Sequence, residues 1–199
     1  METWEAILAA AKSMSALEII AVFFGISSVW FSKKENILVY PTGIISVLIY
    51  VYLCYGAGLY ADAGINGFYF IMSLYGWYNW NKKKNDLSLP ISKNSLNQNL
   101  IAIIATAGVW GLLYLLLVKF TDSTVPMLDA LTTALCFVGM WFMAWKKVEN
   151  WIFWIIADLI SVPLYYYKGL PLTAVQFLLF TVLAVAGYLE WRKKLLSHD

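Results

Sequence analysis

The chain has 199 residues, of which 61% are apolar, 17% aromatic and only 13% charged, with a formal net charge of +2. Soluble domains carry about 45–50% apolar and about 25% charged residues, so there are too few charges here to coat so large an apolar mass. The hydrophobicity also excludes intrinsic disorder. A charge this near zero gives no support to a nucleic-acid partner. One His (His198) and two Cys (Cys54 and Cys136, both in apolar stretches that read as packing) furnish neither a metal cluster nor a disulfide framework. The composition is that of an all-α polytopic membrane protein.

A helix that crosses the hydrocarbon needs about 20 apolar residues. Seven such spans are expected, at Ser13–Phe31, Asn36–Tyr55, Tyr60–Trp80, Leu100–Val118, Val125–Trp145, Asn150–Tyr167 and Pro171–Glu190. Ahead of them, Met1–Ala11 lacks the pattern of a signal peptide and either extends the first span or lies on the surface as an amphipathic helix. Basic residues fall on alternate loops: Lys33 and Lys34 after the first span, Lys82, Lys83, Lys84 and Lys93 after the third, Lys146 and Lys147 after the fifth, and Arg192, Lys193 and Lys194 after the seventh. The other face keeps Lys12, Lys119 and Lys168. The positive-inside rule then places the N-terminus outside and the C-terminus in the cytoplasm, which requires an odd number of spans. Binding of lipid head groups is a secondary reading of the same basic runs.

The two ends of the chain resemble each other. The third span closes on Gly76-Trp77-Tyr78-Asn79-Trp80-Asn81-Lys82-Lys83 and the seventh on Gly187-Tyr188-Leu189-Glu190-Trp191-Arg192-Lys193-Lys194, both reading Gly-aromatic-x-x-Trp-x-Lys-Lys. The second span opens on Glu35-Asn36 and reaches Ile45-Ser46-Val47 and Tyr50; the sixth opens on Glu149-Asn150 and reaches Ile160-Ser161-Val162 and Tyr165. Spans one to three would thus match spans five to seven, with the fourth restoring their direction. The expected architecture is a 3+1+3 pair of parallel repeats, as in SWEET-like transporters. It divides into a bundle over 1–80, a linker and connecting helix over 81–119, and a second bundle over 120–199.

The sixth span holds the richest cluster. Asp158 lies roughly 12 Å along it, near the middle of a ~30 Å core, where an ionised carboxylate costs at least ~2.5–3.5 kcal/mol unless paired or hydrated. Trp151, Trp154 and Asp158 follow i, i+3, i+7 spacing on one helix face, which Tyr165 continues. Two indoles and a carboxylate suit a flat cation bearing hydroxyls: the rings stack, the charge gains cation–π energy, and the carboxylate accepts hydrogen bonds. The structural alternative makes Trp151 an interface anchor and Asp158 a partner of a neighbouring helix. Asn66 and Asn79 in the third span and Gln176 in the seventh either read a ligand or join helices. Asn36 and Asn150 read as caps on the inner ends of their helices, with Asn150 also a candidate contact. Trp80, Trp145 and Trp191 read as aromatic belt. Pro41 and Pro163 are expected to kink their helices, and Gly43, Gly76 and Gly187 to permit close helix contact. No His lies in a span, and there is neither a Ser–base pair nor a GxxxxGK loop, so neither an enzyme nor an ATP-driven pump is indicated, and no cofactor is expected.

Trp141-x-x-x-Trp145-x-x-x-Glu149-Asn150-Trp151-x-x-Trp154-x-x-x-Asp158, with Pro163-Leu164-Tyr165 and Lys168-Gly169-Leu170 after it, resembles the PnuC family of nicotinamide riboside transporters. Tyr75-Gly76-Trp77-Tyr78-x-Trp80, Gly187-Tyr188-x-x-Trp191 and Asn36-x-x-x-Tyr40-Pro41-x-Gly43 are similar to its other hallmarks, and the resemblance covers about residues 16–194. It brings Trp77 into the candidate set. It implies a seven-helix SWEET-like fold, a homotrimer, and facilitated uptake of the vitamin across the bacterial inner membrane, with cytoplasmic phosphorylation trapping it. The family also includes thiamine and riboflavin transporters. Thiamine is likewise a flat aromatic cation and suits the same cluster.

Overall fold

The computed structural model describes residues 2–82 and 89–197, so Lys83, Lys84 and His198 lie outside it. Among the described residues there are eight α-helices: α1 Glu2–Ser13, α2 Ala16–Lys33, α3 Val39–Gly56, α4 Tyr60–Asn81, α5 Leu96–Phe120, α6 Pro126–Ala144, α7 Asn150–Tyr167 and α8 Pro171–Leu196. Five of them (α2, α3, α5, α6 and α8) are long and apolar enough to cross a membrane. The remaining long helices, α4 and α7, are diluted by Asp62, Asn66 and Asn79 and by Asn150 and Asp158.

The helix ends follow local chemistry. The N-terminal segment is a helix of its own, and α2 begins only at Ala16. There the Ser15 side chain accepts from the Glu18 N–H while Glu18 reaches back to the Ser15 N–H at 2.6 Å. This reciprocal cap satisfies two first-turn donors and starts a new helix. The same device, Ser95 with Gln98, starts α5 four residues ahead of the expected Leu100. Pro41 is the third residue of α3, where its missing N–H has no intrahelical partner to lose. It therefore breaks no helical bond, whereas Pro163 lies inside α7.

α2, α3 and α4 pack in succession, as do α6, α7 and α8; α5 lies against α6, and the two groups meet where α4 contacts α6 and α2 contacts α8. α6 is the central helix, with ten of its 19 residues buried, while α5 buries only Ala102 and exposes Leu100, Ile103, Ile104, Leu112 and Leu115. A helix dressed outward in Leu and Ile is at home in lipid, not water. The chain is an all-helical membrane protein.

Two pairs of turns match across the chain. α3 and α7 are each 18 residues long, displaced by 111 residues at both ends, and α4 and α8 begin at the same displacement. In the α2–α3 turn, Glu35 N–H donates to Ser32, Asn36 to Phe31, Val39 to Asn36 and Tyr40 to Ile37; in the α6–α7 turn, Lys146 donates to Met143, Lys147 to Phe142, Asn150 to Lys147 and Trp151 to Val148. Glu35 (φ 59°) and Lys146 (φ 51°) are both left-handed, as are Gly58 (75°) and Gly169 (73°) in the α3–α4 and α7–α8 turns. These turns pair Glu35 with Lys146 and Tyr40 with Trp151. The motif pairing of Glu35-Asn36 with Glu149-Asn150 is three residues out of register. Residue identity suggested that pairing; the left-handed position sets the turn.

Candidate functional site

The end of the bundle that carries the α2–α3 and α6–α7 turns and the last residues of α4 and α8 is rich in lysine and is here the basic end. Its core gathers Tyr40, Trp80, Met143, Trp151 and Trp191. Gly76 on α4 leaves room for the Tyr40 ring, and Gly187 on α8 for Trp151; a Cβ on Gly187 would lie 2.6 Å from the indole. Tyr40 stands edge-on to Trp80 at 5.2 Å, Trp151 edge-on to Trp191 at 5.5 Å, and Trp80 and Trp191 meet at 6.0 Å. Each of the two central indoles donates into the opposite three-helix group: Trp80 Nε1 to the Met143 carbonyl at 3.1 Å, Trp191 Nε1 to the Ser32 carbonyl at 3.0 Å. Trp80 and Trp191, 5% and 0% exposed, are therefore core residues. The aromatic-belt expectation fails for them, because a Trp at a helix end becomes core when a glycine four residues earlier admits a neighbouring ring. Trp145 remains exposed.

Charges complete this junction. Lys146 Nζ is 2.8 Å from Glu35 and 4.5 Å from the centre of the Trp80 ring; Lys194 holds the other Glu35 oxygen at 3.1 Å, and Lys34 faces Glu190 at 3.4 Å. Burial alone would raise the Glu35 carboxyl, but the hydrogen bonds and charges of Lys146 and Lys194 outweigh it and hold the group below its ordinary value. The described chain before α5 is sewn to the α6–α7 turn: Ser92 N–H donates to the Lys146 carbonyl, the Ser92 carbonyl accepts from Val148 N–H, and Asn94 N–H donates to Glu149.

Asp158 lies deeper. It is 4% exposed and accepts no hydrogen bond from any described residue. Its charge acts on Tyr69 of α4 and Cys136 of α6. Beside them Phe68 stacks on Phe137 at 3.8 Å. Roughly 10 Å further from the basic end, Tyr165 stacks on Phe177 at 4.9 Å, and Gln176 of α8 faces Tyr50 of α3. Asn66 spends its amide on the Asp62 carbonyl one turn back. At the far end, Lys168 contacts both oxygens of Asp129, at 2.6 and 2.7 Å, and Ser123 donates to the same carboxylate. An open depression of about 550 Å³ there is lined by Asp122, Ser123, Thr124, Tyr167, Lys168 and Leu170.

A buried unpaired carboxylate between two groups of membrane helices is the setting of a solute path, and comparisons with known proteins bear on the family. A family profile described as nicotinamide mononucleotide transporter matches residues 15–193. The chain belongs to this family. It is the PnuC family of the sequence resemblance, and its members are transporters. The Escherichia coli (strain K12) nicotinamide riboside transporter PnuC is 24% identical over 89% of this chain and 85% of its own length. The riboflavin/roseoflavin transporter RibM of Streptomyces davaonensis is 26% identical over 87% and 83%. The crystal structure of the vitamin B3 transporter PnuC shares the fold, with a TM-score of 0.76 at 23% identity, covering 99% of this chain and 89% of that one.

Within this family frame the candidate residues divide by depth. Asn150 and Trp151 are buried at the basic end. The Asn150 amide nitrogen donates to the Lys147 carbonyl, while its oxygen and the Trp151 indole nitrogen lack partners among the described residues. Asn36 is exposed and accepts from Leu38 N–H, so only one of the two matched asparagines is part of the interior. Trp154 turns toward α6, where a Cβ on Gly139 would meet its ring at 3.3 Å. Trp77 packs on the basic-end core, and the buried Asn79 amide nitrogen has no partner among the described residues. Asp158 is the middle layer; Tyr165, Gln176 and Asn66 form the outer one. Tyr69 and Tyr50 are absent from the expected site residues, and Cys136 reads there as packing. Each meets a residue of the other three-helix group, and no local pattern announces such a pairing.

Proposed function

We propose that this chain is a facilitator of nicotinamide riboside uptake across a bacterial inner membrane. The observation that carries the reading is Asp158, a buried carboxylate with no hydrogen-bond partner among the described residues, which a pyridinium cation bearing ribose hydroxyls would satisfy. The names of the PnuC relatives point to the same vitamin. A mononucleotide adds a phosphate of about −1.5 to −2 charge, which an uncompensated carboxylate repels. Riboflavin, named for the RibM relative, is a second reading, but it offers no cation to Asp158. Thiamine, the other flat cation, is the third arm of the test.

In this reading α2–α8 are seven spans, with α1 at the outer surface, the N-terminus outside and the lysine-rich end in the cytoplasm. Residues 1–80 and 120–199 form two parallel, SWEET-like three-helix bundles joined through 81–119, and the unit assembles as a homotrimer in lipid. Substrate contacts come from Trp151, Trp154, Asp158, Asn150, Gln176, Tyr165, Trp77, Asn79 and Asn66. Transport alternates: inward release parts the Trp80–Trp191 contact and the Glu35–Lys146 bridge, and phosphorylation in the cytoplasm keeps the gradient running inward without a coupling ion.

The test is a binding panel of nicotinamide riboside, thiamine and riboflavin read by tryptophan fluorescence, with counterflow in liposomes. The riboside should bind and exchange, and Asp158→Asn should weaken it by roughly tenfold to a hundredfold, the value of a charge-assisted hydrogen bond. Riboflavin binding without riboside binding would transfer the assignment. Unchanged riboside affinity in Asp158→Asn would move the site.

A further inference from the structure

The ion pairs that cross the basic end are unequal. Glu35 is held at 2.8 Å by the nearly buried Lys146 and at 3.1 Å by Lys194, whereas Lys34 stands 3.4 Å from Glu190 with its side chain 49% exposed. An exposed pair of that length contributes little. Lys34 has a second neighbour. Its Nζ lies 5.8 Å from the centre of the Trp30 ring, and Lys33 Nζ lies 4.6 Å from the same ring. Trp30 is in the last turn of α2 and is 47% exposed. Lys33 pairs with no carboxylate among the described residues. This corner therefore sets Lys33, Lys34, Lys146 and Lys194 against only Glu35 and Glu190. An anion would offset the surplus, and the indole indicates its kind. A half-exposed Trp where a membrane helix ends lies at the level of the lipid head groups, with its apolar body against the acyl chains.

We infer that Trp30, Lys33 and Lys34 bind the head group of an anionic phospholipid, whose phosphate competes with Glu190 for Lys34. The two ammoniums take the phosphate and the indole takes the upper part of an acyl chain. A zwitterionic lipid carries a cation of its own into a corner already rich in cations, and free phosphate offers nothing to the indole. Lys34 ends α2 and Glu190 lies on α8, so the two belong to opposite three-helix groups. An occupied site thus unfastens one bond across the basic end and favours its opening. That last step rests on the alternating transport proposed above; the lipid site itself does not.

The experiment uses the full chain. Native mass spectrometry from detergent compares binding of phosphatidylglycerol, phosphatidylcholine and inorganic phosphate. Phosphatidylglycerol should bind best. The double variant Lys33→Gln/Lys34→Gln should weaken it about tenfold, and Trp30→Leu severalfold. Lys93→Gln/Lys147→Gln, which removes the same charge elsewhere on the basic end, should leave it unchanged. Glu190→Gln should tighten it, because the competing carboxylate is gone. Equal losses in the two double variants, displacement of the lipid by inorganic phosphate at equal concentration, or no tightening in Glu190→Gln overturns the site. Counterflow in liposomes, with the vitamin that the binding panel identifies, tests the coupling. Wild type should exchange severalfold faster in equal parts of phosphatidylglycerol and phosphatidylcholine than in phosphatidylcholine alone, and Glu190→Gln should be fast in both. A Glu190→Gln variant that still needs phosphatidylglycerol overturns the coupling. A panel that selects riboflavin over the riboside overturns the substrate reading and leaves the lipid site standing, since the mass spectra involve no vitamin.

Discussion

The two ends of the bundle are closed in different ways. At the basic end, Trp80 and Trp191 each donate into the opposite three-helix group, and Lys146 bridges to Glu35 of the other group under a ring contact. At the far end the shortest ion pair among the described residues, Lys168 with Asp129, joins the end of α7 to α6 within one group. The first kind of contact holds the groups together; the second stiffens one of them. Ion pairs across the halves at one end and within a half at the other predict a bundle that opens more easily at the second.

The largest effect that would break this contrast is at Lys146. Lys146→Met leaves Glu35 short of its shortest partner in a mostly buried setting, with an expected loss of about 3 kcal/mol. Lys168→Met removes a lysine more exposed than Lys146 (21% against 5%) and leaves Asp129 its Ser123 hydrogen bond, with an expected loss of about 1 kcal/mol. Thermal unfolding in detergent compares them, and equal losses would mean that the ends are not distinct. Next come the glycines. Gly187→Ala drives a methyl into the Trp151 ring and should cost about 1–3 kcal/mol. Gly64→Ala, near the far end and open on all sides, should be neutral or stabilising.

The smallest effect is the pH dependence of the Glu35 bridge. Its folded carboxyl sits below the ordinary value of 4.5, so the folded chain binds fewer protons there than the unfolded chain. The bridge's contribution is therefore complete at neutral pH, begins to drain near pH 4.5, and is gone below the folded value. Wild type should exceed Glu35→Gln in melting temperature at pH 7, and the gap should close on acidification through that range. A gap that widened instead would remove Glu35 from the cross-pinning.

Much of this arrangement is legible in the residues. The α7 limits, Asn150 and Tyr167, follow from the charged run before them and the Lys-Gly pair after them. The Gly-aromatic-x-x-Trp signature marks both places where a ring seats on a helix. The capping boxes at Ser15 and Ser95 are equally written in sequence and decide where α2 and α5 begin, against a hydropathy window that places those ends up to four residues away. The register of the matched turns is not legible, because a left-handed Glu and a left-handed Lys share geometry and no chemistry. Nor is the depth of Trp80 and Trp191: the same residue at a helix end serves lipid or core according to what a distant helix brings to it.

The bridge between Glu35 and Lys146 has a genealogical meaning. The two residues hold the same place in turns of the same hydrogen-bond pattern, 111 residues apart, yet they touch each other. So do Ser32 with Met143 and Trp80 with Trp191. Were the two groups separate copies of one polypeptide, the residue at each of these positions would face its own likeness: acid against acid, or base against base. In a single chain one side can be glutamate and the other lysine, so the ion pair that fastens the basic end is one that a symmetric dimer of identical copies could not form.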